Sequence, residues 1–199
     1  MKVINLNSIK TKREKIIVKN NLDLFLIAYD TFDYDLEVVL ENKNSKSNIL
    51  GLILGNQSKT FNLKIYTRHS AKETFSRVHI KSVLSNKSVL NFEGMIRIEK
   101  GAFLSDSFLQ NDNLLITSDS IANSSPQLEI LADDVKASHG VTIKDVDDIY
   151  KFYLMSRGLD EKQSTGLIIK GFVNDLLSNL SKNQIKDLNS QGFNCEFNL

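Results

Sequence analysis

The sequence has very few cysteines: Cys195, near the C-terminus, is the single one among 199 residues. A lone cysteine cannot form a disulfide within its own chain, which is typical of a protein that folds in a reducing compartment. No run approaches the ~20 apolar residues that a membrane helix needs. The opening segment MKVINLNSIKTKREK also has no apolar stretch of signal-peptide length. We therefore expect a cytoplasmic protein with no membrane partner.

Neither sign of charge is in excess, since 25 Lys and Arg stand against 24 Asp and Glu. A chain with almost no net charge is not attracted electrostatically to nucleic acid or to anionic lipid, so we expect neither as a partner. The one local basic cluster is KTKREK (10–15), and a run this short is usually a solvated surface segment.

Most of the chain, from about Glu14 to about Val135, is a series of short apolar or alternating runs separated by Asn, Ser, Lys and Asp clusters. Such runs predict strands and turns. Because no helical stretch lies between them, they indicate a mainly β protein: a sandwich, a barrel or a stack of β-coils. The runs are KIIV (15–18), LFLIAY (24–29), LEVVL (36–40), NILGLIL (48–54), FNLKIY (61–66), RVHIKSVL (77–84), VLNFEGMIRI (89–98), NLLIT (113–117) and QLEILA (127–132).

The residues alone leave these three architectures open. Several runs are apolar on consecutive residues, as in strands covered on both faces, and this favours stacked coils. The turns also lack the Asn-Gly and Asp-Gly pairs that are typical of two-residue hairpins. The single proline, Pro126, precedes the last run, where a missing N–H does least harm to a strand.

After Gly140 the spacing of apolar residues becomes helical. Asp145 is predicted to cap a first helix that runs to about Arg157, and Gly158 to end it in a left-handed conformation. A second helix is predicted from a cap at Asp160 with Gln163, and a third from a capping box of Ser181 with Gln184. The predicted apolar faces are Ile149, Phe152 and Tyr153, then Leu167, Ile168, Gly171, Phe172 and Leu176, then Ile185 and Leu188.

These patterns divide the chain into a β-rich core over residues 1–140 and a C-terminal helical domain over 141–199. The last segment, GFNCEFNL (192–199), is predicted to be a tail or a stray strand. Aromatic residues at helical spacing, such as Tyr150 and Phe152, favour a packing face over a nucleic-acid surface.

One stretch, EILADDVKASHGVTIKDV, holds the only Ser-His pair, Ser138 and His139, shortly after Asp133 and Asp134. Adjacent residues on a strand point to opposite faces, so this pair cannot be a nucleophile with its base. The chain also lacks a G-x-S-x-G elbow. For His139 the ordinary interpretation is a strand-end histidine whose ring bonds to backbone, and the two aspartates are interpreted as solvated strand-end residues or helix caps.

Metal and nucleotide motifs are also missing. The nitrogen and sulfur ligands do not have the paired spacings of zinc sites, which leaves open only a single ligand given to a site shared with another chain. The nine glycines form no phosphate-binding loop, so we expect no ATP site in this chain. The candidate ligands are His69, His79, His139 and Cys195.

Taken as a whole, LEILADDVKASHGVTI followed by DVDDIYKFYLMSRGLDEKQSTGLIIKGF closely resembles the C-terminal signature of the SufB/SufD family, the scaffold proteins of the SUF iron–sulfur cluster assembly system. Upstream, SVLSNKSVLNFEGMIRIEKGA and QNDNLLITSDSIANSSPQLEI are similar to further segments of that family. The resemblance covers Tyr66 to Phe172 well and the first sixty or so residues loosely. So many ordered matches are far more specific than any short motif.

The resemblance implies a right-handed parallel β-helix followed by a small C-terminal helical domain. It also implies that a SufB-like subunit pairs with the end of the β-helix nearest the signature, and that the helices dock a SufC-like ABC ATPase, which would hold the nucleotide. The docking residues that it implies are Phe152, Tyr153, Arg157, Gly158 and Phe172.

The resemblance further implies a cluster-assembly site at the subunit interface. SufB-type members carry a cysteine in this signature, and SufD-type members offer a histidine across the interface. Here His139 supplies the histidine as the implied metal-contacting residue, in the Ser-His-Gly form of SufD, and Ala137 occupies the cysteine position. Without a thiolate there, this chain alone is expected to bind no cofactor; an iron–sulfur cluster would form transiently in the complex.

The expected protein is thus a SufD-like scaffold subunit and not an enzyme. It is short for the family and is predicted to lack the N-terminal helical domain, and Lys144 replaces the glycine that commonly follows the signature. One alternative is a purely structural β-helix subunit in which His139 has no chemical role. Another is a carbohydrate-active β-helix enzyme, which would need carboxylates clustered on one β face, and the predicted strands carry few.

Overall fold

The computed structural model describes residues 1–7 and 9–190, and in these ranges the chain forms eleven strands followed by three helices. Each run predicted as a strand overlaps a strand, although LFLIAY, NLLIT and QLEILA extend one or two residues past the ends of β3, β9 and β10. The strands are β1 (Lys2–Asn5), β2 (Lys12–Val18), β3 (Asn21–Ala28), β4 (Phe32–Leu40), β5 (Lys46–Gly55), β6 (Thr60–His69), β7 (Phe75–Leu84), β8 (Val89–Ile98), β9 (Asp106–Leu115), β10 (Ile121–Ile130) and β11 (Lys136–Asp145).

Successive strands alternate between two parallel sheets, so the chain winds as a β-helix, and the stacked coils favoured by the sequence are confirmed. The first sheet has the order β1-β3-β5-β7-β9-β11 and the second the order β10-β8-β6-β4-β2. Pro126 lies inside β10, not before it. It is tolerated there because β10 is the edge strand of its sheet.

Residues paired between neighbouring turns point to the same face, so apolar side chains stack into ladders through the interior. One ladder in the first sheet joins Leu24, Ile49, Val78 and Leu109, all of them buried. Burying each such side chain contributes about 1.5–3 kcal/mol. The ladders hold the turns in register and thereby fix where each strand of the last turn lies.

Three helices complete the described chain: α1 (Asp148–Ser156), α2 (Glu161–Leu177) and α3 (Lys182–Ser190). The predicted capping boxes of α2 and α3 are confirmed: Asp160 accepts from Gln163 N at 2.7 Å, and Ser181 N donates to the side chain of Gln184 at 2.9 Å. Gly158 ends α1 with φ +93°, as predicted. Of the helices in the described ranges, none has the length and apolar content to cross a bilayer.

The predicted start of the first helix was wrong. Asp145 still pairs with Leu115 in the first sheet, and the cap of α1 is Asp147, which accepts from Ile149 N at 2.8 Å. The strand persists beyond Gly140 because its pairing with β9 outweighs the local helical spacing. The division at residue 140 stays a prediction, although β11 runs across that residue.

α2 packs on the outer surface of the first sheet through a face that only partly matches the predicted one. Leu167 of the predicted face is exposed, Leu176 is buried as predicted, and the other buried apolar residues are Ile169 and Val173. These side chains meet outward-facing residues of the sheet such as Leu52. The segment 192–199, which includes Cys195, lies outside the described residues.

Candidate functional site

The last turn of the β-helix, made of β10 and β11, is open. Each of these strands pairs on one side only, with β8 and β9 respectively, and no further strand in the described ranges covers the other side. An edge of this kind presents unpaired N–H and C=O groups to any chain that can add a strand. Two such edges lie side by side here, one from each sheet.

The interior of the β-helix is uncovered at this end. Four inward-pointing apolar residues are between 36% and 45% exposed, although the residues they stack on in the preceding turn are buried. Core residues left in water in this way mark an interaction surface. We call this surface the mouth; its residues are Leu128, Ile130, Val141 and Ile143.

The opposite end of the second sheet is protected differently. Its edge strand, β2, contains residues 12–15 of the predicted basic cluster, and their basic side chains are exposed and ion-paired, as with Arg13 to Asp35 at 3.2 Å and Lys15 to Glu37 at 3.1 Å. Charged side chains on an edge, lysine above all, prevent strand addition. β10 contains no Lys or Arg, so the edge of the second sheet at the open end lacks this protection.

His139 lies in the mouth. It pairs in register with Leu109 and therefore ends the ladder of Leu24, Ile49 and Val78 in the first sheet. The residue is exposed, and in the described part of the chain its ring has no hydrogen-bond partner. The interpretation of a strand-end histidine satisfied by backbone was therefore wrong. An imidazole with both nitrogens open can serve a metal or a partner chain.

The neighbours of His139 do not complete a site within this chain. Ser138 points to the opposite face, as predicted, and Ala137 stacks on buried Ser107. Asp133 and Asp134 lie in the turn before β11, both exposed. Within residues 1–7 and 9–190, no three His, Cys, Asp or Glu side chains lie close enough together to hold a metal ion. Any metal at His139 would need ligands from elsewhere.

The other two histidines lie apart from the mouth. His79 is bonded to Asp112 on the outer face of the first sheet, Nε2 to Oδ2 at 2.8 Å. His69 is buried, with its ring nitrogens 2.7 Å from the Thr74 hydroxyl and 2.9 Å from the Ser76 hydroxyl. Burial lowers the pKa of His69 to about 4 from an ordinary value of 6.5. His69 is therefore neutral in the folded protein near neutral pH.

This depressed pKa makes stability depend on pH. Between pH 6.5 and about 4 the unfolded chain binds a proton at His69 that the folded chain does not. Protonation of His69 therefore costs no folding stability above pH 6.5 and lowers the free energy of unfolding as the pH falls towards 4. At about 1.4 kcal/mol per pKa unit, the loss reaches about 3 kcal/mol. Urea unfolding at pH 7, 5.5 and 4.5 measures it. His69→Leu is expected to flatten the slope in this window, and an unchanged slope would contradict the assignment.

The helix α1 presents an aromatic surface instead of the packing face that its spacing predicts. No residue of α1 is buried, and five apolar side chains are between 44% and 76% exposed. We call this surface the α1 face; its residues are Ile149, Tyr150, Phe152, Tyr153 and Met155.

The other implied docking residues lie close to this face. Arg157, the C-cap of α1, stands over the ring of Tyr153 at 5.2 Å, and Gly158 follows it. A groove of about 640 Å³ between α1, α2 and the end of β11 brings Tyr153 together with Phe172, which is partly buried. Phe152 does not line this groove and points into solvent.

Sequence reasoning missed the mouth and also Lys81, a buried lysine of β7. Lys81 lies in the run RVHIKSVL, where a charge between apolar residues was the available signal. The mouth gave no local signal, because exposure there depends on a missing neighbour and not on residue type.

Comparison with known proteins places this geometry in a family. Residues 24–172 match the family model described as SUF system FeS cluster assembly, SufBD core domain. The chain is 31% identical over 162 residues to the iron–sulfur cluster assembly protein SufD of Escherichia coli (strain K12), covering 81% of this chain and 38% of that protein. It is 28% identical over 152 residues to a SufBD family protein of Mycobacterium bovis, covering 76% of this chain and 18% of the relative.

The matched region begins at β3 and extends into α2, so it includes both strands of the open end, His139 and the α1 face. The chain spans less than two fifths of the length of either relative. The extent of the family match nevertheless decides membership: this chain belongs to the SufBD core domain family of the SUF iron–sulfur cluster assembly system.

Proposed function

We propose that this chain is a SufD-like scaffold subunit of a cytoplasmic SUF complex, not an enzyme, which pairs with a SufB-like subunit and docks a SufC-like ABC ATPase. The observation that carries the proposal is the position of His139, uncovered in an apolar mouth at the open end of a SufBD core β-helix. Such an arrangement is incomplete in one chain and becomes a site when a second chain closes it.

Pairing at the open end follows from two unmet requirements of the last turn. The edges of β10 and β11 have backbone groups to satisfy, and the mouth has apolar surface to remove from water. A partner that is itself a β-helix can meet both at once, by continuing the two sheets and covering the interior. His139 would then be enclosed at the interface.

The chemistry proposed for the interface is cluster formation with the cluster as cargo. His139 offers one nitrogen ligand, and Ala137 beside it offers none. Iron–sulfur clusters are held mainly by thiolates, so the remaining ligands must come from the partner. A site with only one ligand on this side suits a cluster that forms and then leaves.

The nucleotide chemistry is assigned to the ATPase, since this chain has no phosphate-binding loop. The proposed docking surface is the α1 face with Arg157 and the groove that holds Phe172. Closure of two ATPase subunits would move the helices and, through them, the interface near His139. Such coupling requires that the ATPase contact the two states differently.

Replacing Phe152 by alanine is expected to weaken ATPase docking. Truncating an aromatic anchor at the centre of an interface costs about 2 kcal/mol, or roughly 30-fold in Kd. Calorimetric titration of the chain with the SufC-like protein measures this. Phe103→Ala is the matched control, because Phe103 is also an exposed phenylalanine, at 43% against 73% for Phe152, but lies in the turn before β9. Equal Kd values for the two variants would exclude the α1 face as the docking surface for the ATPase.

Reconstitution tests the proposed function itself. The SufB-like and SufC-like proteins of the same genome, with iron, a sulfide source and ATP, are mixed with and without this chain. Cluster formation is followed by visible absorption and by transfer to an apo-ferredoxin. The proposal expects formation to depend on this chain; an unchanged rate in its absence would refute it.

A further inference from the structure

A buried lysine on the outer face of the first sheet has no role in the function proposed above. Lys81 of β7 is only 8% exposed, and its register partners are Leu52 of β5 and Asp112 of β9. A buried ammonium group persists in a fold only where charged or carbonyl oxygens replace its water. The groups that bond to the Lys81 ammonium therefore indicate which part of the fold this residue positions.

Within the described residues, the Lys81 ammonium group makes its hydrogen bonds to α2 alone. Its Nζ donates to the carbonyl oxygen of Phe172 at 2.7 Å and to Oδ1 of Asp175 at 2.7 Å, and it stands 4.7 Å from the centre of the Phe172 ring. The same ring lies 5.9 Å from Nζ of Lys144, on β11. Phe172 is thus held between lysines of two different strands.

A second set of bonds continues from β7 to β11. His79, two residues before Lys81, bonds to Asp112 of β9 at 2.8 Å. Burial raises the pKa of Asp112, but hydrogen bonds from Gln110, His79 and Thr142 outweigh it and leave the pKa below its ordinary value. Thr142 belongs to β11, three residues after His139. Side chains therefore tie the three strands together beside the place where Lys81 holds α2.

We propose that Lys81 is a positioning residue that makes α2 move as one body with the first sheet, so that displacement of the helices reaches β11 and His139. The inference rests on the proposed function, because Lys81 would connect the ATPase-docking helices to the subunit interface that the proposed function requires. The apolar contacts of Ile169 and Val173 attach α2 without directional preference. Two short hydrogen bonds from a charged group fix its position along the sheet.

The test compares Lys81→Met with Lys64→Met. Methionine keeps the unbranched side chain and removes the charge. Removing one member of a fully buried ion pair is strongly destabilising, but the Asp175 side chain that is left behind is 57% exposed and stays hydrated. Lys64 is the matched control, because it lies on β6 of the second sheet and pairs there with Glu93 at 2.9 Å. Amide hydrogen exchange of α2 in the isolated chain is expected to rise at least tenfold in Lys81→Met and to stay unchanged in Lys64→Met.

In the reconstituted complex, Lys81→Met is expected to keep the Kd for the ATPase within about twofold but to lower the ATP-dependent rate of cluster assembly at least tenfold. A purely structural role would not separate these two readouts. Unchanged exchange in α2, or an unchanged assembly rate with normal docking, would overturn the role of Lys81 alone. Absence of docking by the wild-type chain would overturn the proposed function, and with it the coupling.

A second variant keeps the test decisive if Lys81→Met fails to fold. Asp175→Asn removes the charge of the partner carboxylate, whose side chain is 57% exposed, without touching the sheet. It is expected to raise exchange in α2 and to slow assembly in the same direction by a smaller factor. Wild-type values for both readouts in this variant would likewise overturn the proposal.

Discussion

Replacing His139 by alanine is expected to abolish cluster assembly while leaving the fold and the pairing of subunits intact. The side chain is exposed and makes no hydrogen bond within the described residues, so its removal leaves neither a cavity nor an orphaned polar group. What is lost is the proposed metal ligand at the proposed interface. Because even the loss of groups that support a ligand costs 10–100-fold in metal affinity or activity, we expect a drop in assembly rate of at least about 100-fold.

Two further variants test whether the loss of cluster assembly is due to the missing metal ligand. Ser138→Ala changes the adjacent residue on the opposite face of β11 and is expected to behave as wild type. His139→Cys keeps a ligating atom in the same position and is expected to restore part of the activity. If His139→Ala assembled clusters at the wild-type rate, the alternative of a purely structural subunit would be correct.

Replacing Val141 by aspartate is expected to abolish pairing at the open end. In the free chain the carboxylate reaches water, since Val141 is partly exposed, so the fold should survive. In the paired state it would be buried in an apolar mouth without a partner, at a cost of several kcal/mol, or well over 100-fold in Kd.

Sedimentation of the chain with the proposed SufB-like partner measures this loss of pairing. Ile17→Asp is the control: it also places an aspartate at a half-exposed branched residue, but on β2 at the other end of the β-helix. The account expects Ile17→Asp to pair normally. A Val141→Asp chain that paired as tightly as wild type would show that the partner does not cover the mouth.

Local pattern predicted nine of the eleven described strands, but it predicted neither β1 nor β11, nor the transition to helix. Runs such as NILGLIL and VLNFEGMIRI predict strands because they are rich in Ile, Leu, Val and Phe, and the structure has strands there. After Gly140 the spacing predicted a helical region with its first cap at Asp145, whereas pairing with β9 keeps the chain extended through Asp145. That preference comes from a strand about thirty residues earlier, which no local window contains.

The dependence on residues distant in sequence also explains which features of the site could be predicted from the sequence. Resemblance to a family identified His139, but its place at the end of an apolar ladder depends on pairing between residues thirty apart, such as Leu109 and His139. On α1, helical spacing predicted a packed stripe of Phe152 and Tyr153, and the stripe faces solvent. Amphipathic spacing shows that a surface needs a partner; it does not show whether that partner belongs to the same chain.

The measurement that tests this account most directly is co-expression of the chain with the SufB-like and SufC-like proteins of the same genome, followed by the mass and stoichiometry of what co-purifies. The account predicts one stable complex that contains all three proteins and in which this chain contacts both of the others. Purification of this chain alone, with neither protein bound, would contradict both proposed surfaces at once.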